Sequence, residues 1–122
     1  MAKQYRIIGV MSGTSCDGLD IALCRFTQKA NGFLYEIEHA VTVSYSEEWK
    51  ELLSNAPMLS GFELIKLHNR YGIFIGQQVN KFVKGNFKNI DLIASHGHTI
   101  FHQPSQGITF QLGNGACIAA VN

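Results

Sequence analysis

The chain has 122 residues, of which 46% are hydrophobic and 16% charged, and its formal net charge is +1. This composition indicates one globular domain with a modest core and excludes a disordered chain. The near-neutral charge gives no electrostatic reason to expect nucleic acid or an anionic membrane as a partner. No apolar stretch approaches the roughly 20 residues of a membrane span.

The cysteines and the first residues of the chain bear on the compartment. Cys16, Cys24 and Cys117 are odd in number and lack the spacing of a disulfide framework or a metal site. The first six residues run directly into an apolar segment without the core of a signal peptide. We therefore expect a reducing, cytoplasmic environment.

The first apolar run, residues 5–10, predicts a strand that leads into a loop of small and hydroxyl-bearing residues. Two carboxylates, Asp17 and Asp20, follow this loop. Small residues let backbone N–H groups turn toward an anion, and carboxylates nearby suit a divalent metal that rides on a phosphate. Residues 13–20 therefore predict a site for a magnesium-bound nucleotide. The alternative is a Gly-rich turn that only reverses the chain.

The residues after this loop distinguish between kinds of phosphate site. The loop contains neither the Gly-Lys-Ser/Thr of a P-loop nor a G-x-G-x-x-G pattern, and residues 19–26 are rich in strand formers. Asn31-Gly32 is a strong hairpin signal, and apolar residues then alternate with polar ones over residues 33–43. The pattern predicts a three-stranded meander whose first turn holds the phosphate.

Two helices follow. Ser46 is a good N-cap for a short helix that ends at residues 55–57, and Ser60 with Glu63 forms a capping box for a longer one. Gly85 is the expected C′ residue of the longer helix. Its predicted buried face consists of Leu64, Leu67, Tyr71, Phe74, Ile75, Gln78 and Phe82.

The last third of the chain predicts a central buried strand at residues 89–95, a short strand at 108–112, a turn at 113–115 and a helix from Ala116. The first strand and the strand at 90–95 would each end in a polar loop. In open α/β sheets, ligands bind beyond the carboxyl ends of the strands. We therefore expect both loops to border one cleft.

Three histidines in the second polar segment, His96, His98 and His102, allow several interpretations. Alternate positions on a strand share a face, so the pattern is compatible with zinc, although no nearby cysteine or carboxylate completes a ligand set. The alternative interpretations are that the histidines bind backbone groups around an irregular turn, or that they contact a substrate. Asp17 and Asp20 have a similar alternative as caps of their own loop. If Asp20 is buried at the start of its strand, it needs a partner such as a metal-bound water or a backbone amide.

Three segments in the same order resemble a known family. Residues 8–20, 95–104 and 109–115 are similar to motifs of the anhydro-N-acetylmuramic acid kinases, bacterial enzymes of cell-wall recycling. The resemblance implies an α/β, ribonuclease H-like (actin-like ATPase) half-lobe: a mixed sheet that opens with a three-stranded antiparallel meander and is flanked by helices. The actin-like, sugar-kinase and Hsp70 proteins share this arrangement.

The resemblance also implies site residues. The ATP phosphates would lie against Gly13, Thr14, Ser15, Cys16, Asp17, Gly18, Leu19 and Asp20. Asp17 and Asp20 would face the Mg²⁺ of MgATP, and His96, Gly97 and Thr99 would border the sugar. Relatives often carry Gln at the position of His98 and Asp at that of Asn114.

The activity implied is transfer of the ATP γ-phosphoryl group to O6 of 1,6-anhydro-N-acetylmuramic acid, with water opening the anhydro ring, to give N-acetylmuramic acid 6-phosphate. Family members are longer and have two lobes, so residues 1–122 would form the first part of the first lobe. The general-base aspartate would lie downstream, and we expect the 122 residues alone to be inactive. The alternative is a non-catalytic module that binds a partner or self-associates, for instance as a homodimer.

Overall fold

A computed structural model describes residues 2–13, 15–84 and 89–122. The described residues form five strands and three α-helices. In chain order these are β1 (Gln4–Ser12), β2 (Gly18–Lys29), β3 (Gly32–Ser44), α1 (Glu47–Asn55), α2 (Gly61–Val83), β4 (Leu92–Gln103), β5 (Ile108–Leu112) and α3 (Gly115–Val121). Single 3₁₀ turns occur at Ala56–Met58 and Pro104–Gln106. The predicted C′ residue Gly85 and the loop residue Thr14 lie outside the described residues.

The strands form one mixed sheet in the order β3-β2-β1-β4-β5. β1 and β4 are parallel, and the other neighbouring strands are antiparallel. The predicted α/β fold with an opening antiparallel meander is therefore confirmed. The predicted hairpin is also present, one residue earlier than expected: Lys29 pairs with Gly32, so Ala30 and Asn31 form the two-residue turn.

The hydrophobic core lies between one face of this sheet and the helices. It contains Ile8, Val10, Leu19, Ile21 and Leu23 from β1 and β2 and, among others, Leu53, Leu67, Tyr71, Ile75, Leu112 and Ile118 from the later elements. The opposite face carries no described helix. The strand predicted at residues 89–95 is present as β4, between β1 and β5, but it is not buried as predicted: it begins only at Leu92, which is 47% exposed, and Ala94 and Ser95 are exposed as well.

The apolar alternation along residues 33–43 does not mark a single face, because a bulge interrupts it. Leu23 pairs with His39 but Cys24 pairs with Ile37, so Glu38 is an extra residue in β3. An extra residue moves all later side chains to the other face of the strand. Val41 and Val43 consequently pack against the core, whereas Phe33, Tyr35 and Ile37 are more than half exposed.

Both predicted helix caps are confirmed, since Ser46 and Ser60 each accept a bond from the backbone N–H three residues later. The predicted apolar face of α2 is confirmed: Leu67, Tyr71 and Ile75 are buried in the core, and the half-buried Leu64, Phe74 and Phe82 pack against it. Gln78 on the same face is half-buried.

The buried face of α2 also contains two glycines that the apolar pattern did not include. A Cβ added at Gly72 would meet the Asn114 carbonyl oxygen at 2.5 Å, and one at Gly76 would meet the Val121 Cβ at 2.9 Å. These glycines let α3 approach α2 closely. A count of apolar residues overlooks them because their contribution is the absence of a side chain.

The histidine-containing segment is not a loop, in contrast to the prediction, because β4 continues through it to Gln103. The strand contains an irregularity there: β1 advances two residues from Val10 to Ser12, while their partners in β4 advance three, from Ser95 to His98. Gly97 lies in this bulge with φ of +75°, and a Cβ on it would lie 2.3 Å from the Leu112 carbonyl oxygen. Only glycine fits this conformation and this contact together.

None of the helices in the described ranges combines the length and the apolar character that a membrane crossing requires.

We predict that Gly97→Ala destabilises the fold by at least about 2 kcal/mol, because it adds both backbone strain and a clash with β5. Gly107→Ala is the matched control: Gly107 also has a positive φ, +70°, but no atom lies within 4 Å of its added Cβ. Urea denaturation followed by Trp49 fluorescence measures both changes. Equal losses of unfolding free energy in the two variants would show that the contact with Leu112 does not affect stability.

Candidate functional site

The turn between β1 and β2 is shorter than the predicted phosphate loop. It comprises residues 13–17, because β1 extends to Ser12 and β2 begins at Gly18. Gly18 and Leu19, predicted to contact phosphate, are buried in β2, while Ser15 and Asp17 are exposed. Cys16 has a left-handed backbone, with φ of 58°, and its N–H donates to the Gly13 carbonyl over 3.3 Å.

A buried chain of polar side chains lies directly beneath this turn. His98 Nδ1 is 2.8 Å from the Ser12 hydroxyl, to which the Tyr45 hydroxyl donates over 2.7 Å. The Tyr45 and Tyr71 hydroxyls are 2.5 Å apart. At the other end of the chain, His98 Nε2 lies 3.7 Å from Cys16 Sγ, inside the turn. This series of hydrogen-bonded side chains thus connects α2 through β1 and β4 to the predicted phosphate loop.

Burial determines the charge of these groups. It lowers the pKa of His98 below the usual histidine value, so the imidazole is neutral at pH 7. Burial likewise raises the pKa of Tyr45 and, more strongly, that of Tyr71. The connection beneath the turn is therefore a set of neutral hydrogen bonds rather than an ion pair.

Asp20 and His96 lie on the other, open face of the sheet, where they line a depression of about 680 Å³. Its floor is formed by residues with little or no side chain, Gly9, Ala22, Ala40 and Ala94. Asp20 is exposed, and its Oδ1 accepts a 2.6 Å bond from the Thr42 hydroxyl. The expectation of a buried carboxylate is therefore wrong, and its partner in the structure is a hydroxyl on β3.

The three histidines have different surroundings. The bulge at Gly97 leaves His96 on the open face and turns His98 into the core, while His102 is exposed and lies 3.3 Å from the Thr109 hydroxyl. Within residues 2–13, 15–84 and 89–122, no group of three or more His, Cys, Asp or Glu side chains is arranged to hold a metal ion. The described part of the chain therefore does not support the zinc interpretation.

The remaining predicted residues have identifiable local roles. Gly97 forms the bulge, and the half-buried Thr99 hydroxyl accepts a long, 3.5 Å bond from Gln111 Nε2. Asn114 caps α3, with its side-chain oxygen 2.8 Å from the Ala116 nitrogen. The structure thus brings the turn into contact with His98 and places Asp20 and His96 in one depression.

The residues that sequence reasoning missed are Ser12 and Tyr45. A signal for Ser12 was present, since Ile8, Val10 and Ser12 follow a period of two that directs all three side chains to one face of β1. A hydroxyl on a buried face needs a hydrogen-bond partner. Tyr45 gave no comparable signal, because its position depends on how β3 joins α1.

We predict that Tyr45→Phe destabilises the chain by about 1–3 kcal/mol, because Ser12 and Tyr71 both lose a buried partner. Tyr71→Phe is expected to cost less, since the Tyr45 hydroxyl keeps its bond to Ser12. Tyr35→Phe, at a tyrosine that is 73% exposed, is the control. Urea titrations compare the three free energies of unfolding, and a loss in Tyr71→Phe as large as that in Tyr45→Phe would contradict the order of the chain.

We also predict that stability falls on acidification below about pH 6.5. Burial lowers the pKa of both His98 and His68 in the folded chain from the ordinary 6.5. The unfolded state therefore takes up protons first as the pH falls, so this stabilisation is complete above pH 6.5 and decreases below it. His98→Gln should reduce the slope of unfolding free energy against pH in urea titrations repeated between pH 5 and 8, and an unchanged slope would contradict the prediction.

Comparison with known proteins identifies relatives of this chain. The anhydro-N-acetylmuramic acid kinase family matches residues 5–122. An anhydro-N-acetylmuramic acid kinase of Pseudoalteromonas translucida is 43% identical in an alignment 104 positions long that covers 80% of this chain and 26% of that protein. One of Bacillus thuringiensis subsp. konkukian is 38% identical over 93% of this chain and 32% of its own length. The chain thus spans about a quarter to a third of these relatives, and it belongs to the anhydro-N-acetylmuramic acid kinase family, within the actin-like ATPase superfamily.

Proposed function

We propose that this chain supplies the phosphate-binding part of a kinase that acts on 1,6-anhydro-N-acetylmuramic acid. The reaction is transfer of the γ-phosphoryl group of ATP to O6 with hydrolytic opening of the anhydro bridge, giving N-acetylmuramic acid 6-phosphate for cell-wall recycling. The chain would form the first part of the first lobe of a two-lobe enzyme. A reducing cytoplasm suits this role and the three free thiols.

The observation that carries this proposal is the position of the turn at residues 13–17. The turn follows the carboxyl end of β1 and contacts the parallel strand β4 through Cys16 and His98. Ligands of open α/β sheets bind beyond the carboxyl ends of parallel strands. A turn held at this place by a contact with a buried histidine is suited to receive a charged phosphate chain without rearrangement, which favours phosphoryl transfer.

The residues of the turn fit MgATP by their chemistry. Gly13 is small, Ser15 exposes a hydroxyl, and Asp17 and Asp20 expose carboxylate oxygens, the ligand type that Mg²⁺ prefers. When bound, the metal neutralises charge on the phosphates. We assign phosphate contact to Gly13, Thr14, Ser15 and Cys16 and metal contact, direct or through water, to Asp17 and Asp20. The buried Gly18 and Leu19 shape the turn from within β2.

The sugar is placed against the segment that contains His96, Gly97 and Thr99. His96 is exposed in the same depression as Asp20, which supports a location next to the phosphate site. Gly97 acts by forming the bulge that separates His96 from His98. The base that activates water and the residues that hold adenosine are assigned to parts of the enzyme beyond these 122 residues.

A chimera tests the proposal. This chain replaces the matching segment of the Bacillus thuringiensis relative, and phosphorylation of 1,6-anhydro-N-acetylmuramic acid is measured with ATP. We expect the chimera to be active, and Asp17→Asn and Asp20→Asn each to lower kcat/KM by about 10- to 100-fold. The 122-residue chain by itself gives the background.

Glu51→Gln, at an exposed carboxylate of α1 outside the site, is the matched control and should keep full activity. A folded chimera without kinase activity would overturn the proposed function. Full activity in both aspartate variants would overturn the roles of the carboxylates while leaving the reaction in place.

A further inference from the structure

We propose that His98 is a positioning residue for the turn at residues 13–17. Its neutral ring accepts the Ser12 proton at Nδ1 and donates Nε2–H to Cys16 Sγ. The identity of the ligand that the turn binds rests on the proposed function. The support of the turn rests only on the geometry of the buried hydrogen-bonded side chains.

The proton assignment follows from counting donors. Each hydroxyl has one proton, and that of Tyr45 is directed to Ser12, so the bond between the two tyrosines uses the Tyr71 proton. Ser12 already accepts from Tyr45, and its own proton has His98 Nδ1, at 2.8 Å, as its acceptor among the described residues. A neutral imidazole that accepts at Nδ1 carries its proton on Nε2.

The Nε2 proton is consequently directed at the turn. Cys16 Sγ lies 3.7 Å from Nε2, within the range of a hydrogen bond to sulfur, and Cys16 is the residue with left-handed backbone. A non-glycine residue holds that conformation only when its surroundings favour it. The turn has two further described backbone bonds, Cys16 N–H to Gly13 and Tyr45 N–H to Asp17, which are long at 3.3 and 3.4 Å, and the Cys16 side chain also packs against the core.

This arrangement makes the core of the sheet the support of the turn. His98 is 4% exposed and Ser12 3%, so neither can exchange its partner for water without opening the core. The imidazole therefore transmits the rigidity of β1 and β4 to a segment that would otherwise be an exposed turn. The residues to which the proposed function assigns phosphate contact lie in that segment.

The first experiment determines the tautomer in the 122-residue chain. A long-range ¹H–¹⁵N spectrum of the histidine rings distinguishes the protonated nitrogen from the unprotonated one. We expect His98 to carry its proton on Nε2 at pH 7.5. A proton on Nδ1 would overturn the assignment and, with it, the bond to Cys16.

The second experiment measures the turn directly. ¹⁵N relaxation of Ser15, Cys16 and Asp17 amides is compared in the unaltered chain, His98→Leu and His98→Gln. The Gln amide offers an acceptor to Ser12 and a donor to Cys16. We therefore expect the turn to lose order in the His98→Leu variant and to keep it in the His98→Gln variant. Because His98→Leu may fail to fold, Cys16→Ala and Cys16→Ser repeat the comparison from the other side of the bond. Unchanged order in Cys16→Ala would overturn the proposal.

The third experiment relates the turn to function in the chimera. We expect Cys16→Ala to raise KM for MgATP about tenfold and more than it raises KM for the sugar, and Cys16→Ser to recover part of this difference, whereas a general loss of stability would shift both KM values alike. Equal shifts for both substrates would count against positioning. If the unaltered chimera lacks kinase activity, the proposed function fails, and the tautomer and relaxation data still decide whether His98 holds the turn.

Discussion

The contact between Ser12 and His98 joins the two parallel strands at the point where the turn at residues 13–17 begins. Ser12 is the last residue of β1, and His98 follows the bulge of β4, so their 2.8 Å contact connects the first strand with one that lies 86 residues later. Tyr45 and Tyr71 extend this connection into α2. The position of the turn depends on this series of hydrogen-bonded side chains, because the described residues of the turn make few bonds of their own.

The two faces of the sheet have different roles. One face packs against the helices and carries the buried chain that supports the turn. The other face carries Asp20 and His96 above a floor of glycine and alanine, which leaves room beside the sheet. The bulge at Gly97 produces this division, since it separates two histidines that lie only two residues apart. The support of the turn and the open depression thus involve neighbouring residues of one strand that face opposite sides of the sheet.

Much of the fold was predictable because its signals are local. Strand alternation, the Asn-Gly turn and the Ser46 and Ser60 caps involve residues close together in the chain, and all three types of signal led to elements that the structure contains. Two errors of the prediction arose where an extra residue interrupts the alternation of side chains along a strand. The bulge at Glu38 places the apolar residues of β3 on two different faces. The bulge at Gly97 lies in a segment that was predicted to be a loop but belongs to β4. Their location depends on the partner strand, and a single segment carries no information about its partner.

The sequence by itself determined the order of elements, the small and acidic character of the turn, and the three motifs that indicate the family. These properties depend on residue type and local spacing. The tertiary structure alone decided that Ser12 meets His98, that Asp20 bonds to Thr42, and that Gly72 and Gly76 seat α3 on α2. The physical reason is that such contacts join residues from 22 to 86 positions apart, or depend on the absence of a side chain, and only the pairing of β1 with β4 and of β2 with β3, and the packing of α3 on α2, bring these atoms together.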